Sequence, residues 1–274
     1  MILLINLLIL KFLEDIKNAK EYSHFPKADQ QRLDEIIQFV GNGKDVTSLF
    51  QEVQSNNKQL AQLTLDDLFS DETEDFEPIE GIMQLKITLN GAKPPIWRRI
   101  LVDPNMTFDE LHNVIQVSMG WTNSHLYNFN YKNIYIEPEN DEFDFGSPFG
   151  KETLDAEITI IGDLLSYEGE SCIYTYDFGD NWEHTIKVEK IISDETSEND
   201  EFFVPRCIKA KRACPPEDCG GIPGLAELEK VLAGPKTEEQ DSLKIWVGES
   251  YDSEKVDLDD INQNLQKLYK ELFL

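Results

Sequence analysis

Positively charged residues are scarce in this sequence relative to acidic ones. Its 274 residues carry 25 Lys and Arg side chains against 53 Asp and Glu, which gives a formal net charge of −28 and a pI near 4.4. A field of that sign repels phosphate backbones, so it disfavours general nucleic-acid binding unless a local basic patch overcomes it. One basic cluster exists, and pairing with nearby acids is the simpler expectation for it. It comprises Arg206, Lys209, Lys211 and Arg212.

Long hydrophobic runs are also missing. Met1–Leu10 is apolar, but it is too short to span a bilayer, and Lys11 and Glu14 follow closely. The run has no basic start and no small-residue cleavage site, so the sequence predicts neither a membrane span nor a signal peptide. Without an export signal, the four cysteines are expected to be reduced thiols or metal ligands in a cytoplasmic protein.

Several signatures of catalysis are absent from the sequence. It contains no Walker loop, no dinucleotide fingerprint, no Gly-x-Ser-x-Gly elbow and no His-Glu-x-x-His helix. Asp177-Phe-Gly179 matches a kinase triplet, but no Gly-rich loop or His-Arg-Asp segment accompanies it. Whether the chain is an enzyme stays open at this point.

Residues 1–70 predict a small helical segment. The acidic segment 71–80 has the composition of a linker, so we place a domain boundary there and assign residues 81–274 to a second domain. We expect the N-terminal helices to contact an unknown protein partner or a second copy of the chain. The helical evidence is an apolar stripe that ends at Gly41 and comprises Leu33, Ile36, Ile37 and Val40.

The second domain begins with patterns typical of strands. Residues 82–89 alternate strictly between apolar and polar, which indicates a half-buried strand, and residues 97–102 predict another. Thr107 and Glu110 form a capping box, which predicts a helix start, and Leu126–Ile136 predict one aromatic-rich strand. Because strands and helices do not alternate regularly, we expect an α+β fold with a mainly antiparallel sheet and packed helices.

Two dense segments stand out in the second half of the chain. Cys172–Val188 predicts two strands folded over a turn at Gly179–Asn181, where Gly and Asn accept positive φ. Arg206–Gly221, called the cysteine segment below, contains three of the four cysteines and reads as a Pro- and Gly-rich loop. We expect the turn and the cysteine segment to pack together over one sheet, so that they form a single place on the molecule.

Short motifs follow one another in a fixed order through this domain. They are Pro94–Arg99, Leu111–His112, Val114–Gln116, Met119–Trp121, His125–Leu126, Tyr174–His184 and Arg212–Gly221. In this order they resemble the plasmid pRiA4b ORF-3-like family, which also includes passenger proteins of some bacterial insertion elements. The resemblance covers residues 82–270. It implies a bacterial-type cytoplasmic α+β domain of undetermined activity, associated with plasmids and mobile elements, and it supplies no catalytic residue.

The cysteine segment is the first candidate site. Cys207, Cys214 and Cys219 are soft ligands, and His125 or His184 could complete a tetrahedral structural zinc site. The absence of a Cys-x2-Cys pair argues against a standard zinc finger. The alternatives are that the cysteines are small buried hydrophobic residues and a loop thiol, or that Cys214 and Cys219 form a disulfide.

The turn of the hairpin is the second candidate. Asp177, Asp180 and His184 are residue types that a metal-dependent hydrolase uses. Strand parity weakens this hypothesis, because it places His184 on the apolar side with Trp182. The alternative is a turn held by Asp and Asn side chains, with His184 as a core residue.

A third candidate is a binding surface of aromatic and basic residues. Trp97, Arg98, Arg99, Trp121 and Trp182 could present such a surface if they converge. Since no catalytic constellation is recognisable, the sequence favours a non-enzymatic cytoplasmic binding or accessory module, with a metal-dependent hydrolase as the alternative.

Removal of residues 1–78 tests the role of the N-terminal helices. If they form a self-association face, the full-length chain will have a mass above that of a monomer, whereas a chain beginning at Ile79 will be monomeric. Size-exclusion chromatography with light scattering measures both masses. Identical monomeric masses and equal thermal stability would count against an association role.

Overall fold

The computed structural model describes residues 81–138, 153–192, 204–248 and 250–273, together with isolated positions between 10 and 41. The chain divides into two units, Met1–Glu77 and Pro78–Leu274. In the first unit the isolated described positions are helical, and Lys17 Nζ lies 2.7 Å from the Asp34 carboxylate. The predicted linker 71–80, and all of the predicted apolar stripe except Ile37, lie outside the described residues. Among the helices that the structure describes, none has the length and apolar character needed to cross a bilayer.

Eight strands of the second unit form one sheet, in the spatial order β5-β4-β3-β6-β7-β1-β2-β8. Every neighbouring pair is antiparallel except β4 and β5. The predicted α+β class with a mainly antiparallel sheet is therefore confirmed. The strands are β1 (Ile82–Leu89), β2 (Trp97–Val102), β3 (Tyr127–Tyr131), β4 (Ile134–Glu137), β5 (Thr153–Asp155), β6 (Ser171–Tyr176), β7 (Trp182–Ile192) and β8 (Arg206–Lys211).

The described helices of this unit connect or follow the strands, and α1 and α5 contact each other while α5 also contacts β8. The capping box at Thr107 and Glu110 is present and starts α1, and Gly120 ends it in the left-handed conformation. Both ends were predicted from the sequence. The helices are α1 (Phe108–Met119), α2 (Ile161–Leu164), α3 (Gly221–Ala233), α4 (Glu238–Val247) and α5 (Leu258–Phe273).

A closed chain of hydrogen bonds joins α1 to the sheet. Gln116 Nε2 donates to Tyr174 OH, which in turn lies 2.8 Å from His112 Nδ1. His112 Nε2 donates to Asn123 Oδ1, and the Asn123 backbone N–H donates to Gln116 Oε1. Each member supplies the partner of the next, so the buried side chains of His112, Gln116 and Tyr174 are satisfied without water. This network of hydrogen bonds positions Asn123 in the segment that follows α1.

Arg98 of β2 is a fully buried cation whose side chain reaches the C-terminal end of α1. Its Nε donates to Ser118 O, and its Nη1 donates to the carbonyls of Trp97, Lys211 and Arg212. Burial lowers the pKa of its guanidinium. A cation is favourable at a helix C-terminus, because the last carbonyls of the helix have no intrahelical donors. Arg98 therefore joins β2, β8 and α1.

The structure corrects two predictions about local structure and adds one helix. Leu126–Ile136 is not one strand, because Lys132 and Asn133 adopt positive φ and form the turn of the hairpin β3–β4. The first part of the cysteine segment is not a loop, since residues 206–211 form edge strand β8 against β2. The sequence analysis also missed α4, whose first turn is capped by Thr237.

The tip of the β6–β7 hairpin contacts the loop that follows β8. Asp180 Oδ2 accepts a hydrogen bond of 3.0 Å from the Gly220 N–H. Gly221 has a φ of +66°, and a Cβ added there would lie 2.3 Å from the Asp180 carbonyl oxygen. The two segments predicted to pack together therefore do so, at a distance that only glycine permits.

Gly221→Ala will test this contact. A side chain in the left-handed region is strained, and here it would also collide with main chain, so we expect a loss of at least about 2 kcal/mol in the free energy of unfolding. The matched control is Gly169→Ala, since Gly169 has a φ of +99° but nothing within 4 Å of an added Cβ. Urea denaturation measures both. Equal losses for the two variants would show that the close contact at Gly221 contributes nothing.

The two core histidines predict acid sensitivity. Burial lowers the pKa of His112 and of His184 to about 4, below the value of about 6.5 in an unfolded chain. Between these values the unfolded chain binds more protons than the folded one, so stability falls as the pH drops from 6.5 to 4, by up to about 3 kcal/mol for each histidine. Urea denaturation across this range measures the slope. Imidazole pKa values near 6.5 in NMR titrations of the folded protein would contradict it.

Candidate functional site

A cleft of about 350 Å³ opens beside the end of α1. Its walls are the last residues of α1 with Trp121, the loop at residues 213–217, the end of α4 and the start of α5. The volume is within the range of small-molecule sites. The residues lining it include Arg98, Ser118, Trp121, Cys214, Glu217, Tyr251, Asp257, Asp260 and Asn264.

Two hydroxyl groups of residues that line the cleft have no hydrogen-bond partner among the described residues. They are Ser118 Oγ and Tyr251 OH, and both atoms are buried. Ser118 as a whole is 1% exposed. A buried polar group without a partner costs about 1–3 kcal/mol, and native proteins rarely leave one unsatisfied without a reason. Both residues line the cleft, and a hydroxyl can both donate and accept a hydrogen bond.

Carboxylates dominate the charged groups around the cleft. Asp257 caps α5 by accepting from the N–H groups of Asp259 and Asp260. Within the described part of the chain, the hydrogen bond of the Asp260 carboxylate is a long one of 3.5 Å from Asn264. Arg98 is the cation of the lining, and its Nε and Nη1 groups already donate to main-chain carbonyls. The electrostatics therefore favour neutral or cationic molecules over anions.

Glu217 ties the loop over the cleft to the rest of the domain. Its Oε1 accepts from Tyr176 OH at 2.6 Å, and its Oε2 accepts from the hydroxyl of Thr122 at 2.6 Å. Trp121 stacks on Tyr176 with ring centroids 5.0 Å apart, and its indole N–H donates to Pro215 O. These contacts hold residues 121–125 against the loop, so this wall of the cleft is well supported.

The cysteines predicted as zinc ligands do not form a ligand cluster with a histidine. In the part of the chain that the structure describes, the cluster of three potential ligands is His125, Asp177 and Asp218. All four cysteines are free. Cys207 lies on β8 and Cys214 in the wall of the cleft, while burial raises the pKa of Cys219 to about 12. Burial also raises the pKa of Cys207 and Cys214, so all three are protonated thiols at neutral pH.

The trio predicted for a hydrolase is not assembled either. Asp177 Oδ1 accepts from the Gly179 N–H, and Asp180 Oδ2 accepts from the Gly220 N–H. His184 is fully buried, and its Nδ1 donates to Trp182 O. The two carboxylates hold main chain and the imidazole belongs to the core, which is the structural alternative that strand parity favoured.

The predicted aromatic and basic surface is divided between different places. Arg98 and Trp121 line the cleft, and Trp182 is buried behind Trp121, with ring centroids 6.0 Å apart. Trp97 instead lies beneath Arg99, whose guanidinium also pairs with Glu189. The five residues therefore do not share one surface.

The cluster of basic residues near the cysteines is likewise divided. Arg212 is buried and pairs with Glu229 and Glu254 at 2.6 and 2.7 Å, as the sequence analysis expected of this cluster. Arg206, Lys209 and Lys211 are exposed on edge strand β8. The cluster is therefore not a convergent anion site.

Sequence reasoning missed Ser118, Tyr251 and Asp218. Ser118 lies within a helix whose apolar stripe was recognised, but its spacing says nothing about an unpartnered hydroxyl. Tyr251 follows a helix that was not predicted. Asp218 lies beside Cys219 within the cysteine segment, and attention to oxygen ligands there would have found it.

Comparisons with known proteins identify the family of this chain and two relatives. A family model described as "Plasmid pRiA4b ORF-3-like protein" matches residues 81–260. "Uncharacterized protein y4hQ" of Sinorhizobium fredii is 33% identical over 192 residues, which is 69% of this chain and 93% of the relative. A crystal structure of a protein of unknown function, MM3350 from Methanosarcina mazei Go1, matches with a TM-score of 0.57 and 34% identity, over 66% of this chain and 98% of that one. Because the family match spans more than half of the sequence, the chain belongs to the plasmid pRiA4b ORF-3-like family.

Proposed function

We propose that this protein is a non-catalytic cytoplasmic module that binds a small neutral or cationic molecule in the cleft beside α1. The observation that supports the proposal is the pair of unpartnered hydroxyls, Ser118 Oγ and Tyr251 OH, in the wall of that cleft. A ligand with donors and acceptors would satisfy both, which recovers the free energy that their burial costs.

The surroundings of the cleft support binding rather than catalysis. Cys214 and Ser118 are nucleophilic residue types in the lining. Burial raises the pKa of the Cys214 thiol, so it is not a thiolate at neutral pH, and no base among the described residues is hydrogen-bonded to Ser118 Oγ. His112 and His184 are engaged in the core and do not line the cleft. The described lining therefore offers hydrogen bonds and charge but no activated nucleophile with an adjacent base.

The negative charge at the rim of the cleft favours ligands that carry an ammonium group. Asp260 is exposed at the rim and has a carboxylate that is weakly engaged. An ammonium group could pair with it while hydroxyl or amine groups reach Ser118 and Tyr251. We therefore expect amino compounds to bind better than sugars of similar size, and sugars better than polyanions.

A thermal-shift panel tests this function with spermidine as the cationic probe, glucose as the neutral probe and ATP as the anionic probe. We expect spermidine to raise the Tm by a few degrees, because a ligand that binds only the folded state stabilises it by mass action. Ser118→Ala will leave the Tm without ligand unchanged or slightly higher, since it removes an unsatisfied group, but it will reduce the shift. Asp260→Asn will also reduce the shift.

Ser166→Ala is the matched control, because Ser166 Oγ is also buried without a partner and does not line the cleft. It must retain the full ligand-induced shift. If Ser118→Ala and Ser166→Ala behave alike, or if no probe changes the Tm, the cleft is not the binding site of such a molecule. A shift with ATP alone would overturn the proposed ligand class.

A further inference from the structure

A second cluster of polar groups lies at the tip of the β6–β7 hairpin and does not line the cleft. His125 Nε2 is 3.4 Å from Asp218 Oδ1 and 3.7 Å from Asp177 Oδ2. The three ligand atoms lie within 4.8 Å of one another. They come from three different places in the chain, which are the segment before β3, the hairpin tip and the loop after β8.

The spacing of these atoms is wider than that of good hydrogen bonds. Nitrogen and oxygen atoms that share a hydrogen bond are typically about 2.7–3.2 Å apart. Atoms that share a tetrahedral metal ion, with bonds of about 2.0–2.2 Å, are about 3.3–3.6 Å apart. The distances of 3.4 and 3.7 Å match the second arrangement better than the first.

Asp177 is the member that most needs a cation. Its side chain is 10% exposed, and its Oδ2 faces His125 at a distance too long for a hydrogen bond. Within the described ranges, the ion pairs of Asp177 and of Asp218 are those with His125, and neither is paired with Lys or Arg. Two carboxylates that approach one imidazole repel each other, so a cation at their centre would stabilise the arrangement.

The ligand atoms are held in position by other contacts. Asp177 Oδ1 accepts from the Gly179 N–H at 2.9 Å, which leaves Oδ2 directed towards His125. The His125 ring packs edge-on against Tyr176, with centroids 5.7 Å apart. Additional contacts of a ligand residue, such as the hydrogen bond to Asp177 Oδ1, orient metal ligands and contribute to the affinity for the metal. Asp218 has a side chain that is 74% exposed, so an ion can enter from that side.

We propose that His125, Asp177 and Asp218 bind one divalent transition-metal ion of the Zn²⁺ class. One nitrogen and two carboxylate ligands suit such an ion, whereas Mg²⁺ and Ca²⁺ prefer sites made of oxygen alone. The ion would fasten the loop after β8 to the hairpin tip. The sequence analysis included His125 among possible zinc ligands; the geometry pairs it with carboxylates instead of thiolates.

Calorimetric titration of the full-length, chelator-treated protein with Zn²⁺ and, separately, Mg²⁺ tests this site at physiological ionic strength. We expect one Zn²⁺ per chain and much weaker Mg²⁺ binding. His125→Ala and Asp218→Asn will each weaken Zn²⁺ binding by at least about tenfold, since each removes a ligand. Both side chains are at least partly exposed, so both variants are expected to fold, and their Tm without metal checks this.

Asp241→Asn is the matched control, because it removes one carboxylate from the exposed surface of α4 and no ligand. It must leave Zn²⁺ affinity unchanged. Equal affinity in the wild type and His125→Ala would overturn the proposal and leave His125 as a neighbour of the two carboxylates without a metal-binding role. Equal weakening in all three variants would indicate diffuse attraction to acidic surface. Loss of Zn²⁺ binding in Cys214→Ser/Cys219→Ser, with His125→Ala unaffected, would place the ion on the thiols.

Discussion

The close approach of Gly221 to the main chain of Asp180 is the contact on which both proposed sites depend. The loop after β8 supplies one wall of the cleft through Cys214 and one proposed metal ligand through Asp218. Neither residue is on a regular strand or helix, so neither has a position fixed by a hydrogen-bond ladder. The loop is located because a glycine lets it reach the hairpin tip and because Gly220 donates to Asp180 there.

Glu217 is part of the same loop and fastens it to Tyr176 and Thr122. A carboxylate that accepts from Tyr176 and Thr122 has most of its acceptor capacity occupied. It therefore positions Trp121 and the loop instead of serving as a free acid in the cleft. Since Tyr176 also contacts the ring of His125, the same side chain supports the cleft and the proposed metal ligands. Occupancy of one site is thus expected to affect the rigidity of the other.

The sequence predicted those features that depend on local chemistry. The alternation of β1, the capping box of α1 and the hairpin around Asp180 all follow from residue type and spacing, and the structure confirms each. The turn within Leu126–Ile136 was missed because neither of its two residues, Lys132 and Asn133, is a glycine and because both lie inside an aromatic run. Strand β8 was missed because its cysteine and basic residues do not show the apolar alternation typical of a strand, and few of its residues are buried.

The sites were harder to predict than the fold, for a physical reason. Residue types suggested thiolate ligands, but among the described residues the fold gathers His125 with two carboxylates and not with the cysteines, and spacing along the chain does not reveal this. Histidine parity was informative for His184, since a strand has only two faces. The position of Asp218 beside His125 depends instead on a loop of non-repetitive conformation, and only the fold brings them together.

The excess of acidic residues gives both proposals a common electrostatic basis, although it does not by itself define a site. A net charge of −28 raises the local concentration of every cation, and salt screens that effect over about 8–10 Å. A diffuse field cannot distinguish Zn²⁺ from Mg²⁺, or spermidine from potassium. Discrimination needs groups that act at contact distance, and these are the imidazole of His125 and the buried hydroxyl of Ser118. Selectivity that persists at high salt would therefore be a property of this imidazole and this hydroxyl, while the carboxylates determine the sign of the charge that is attracted.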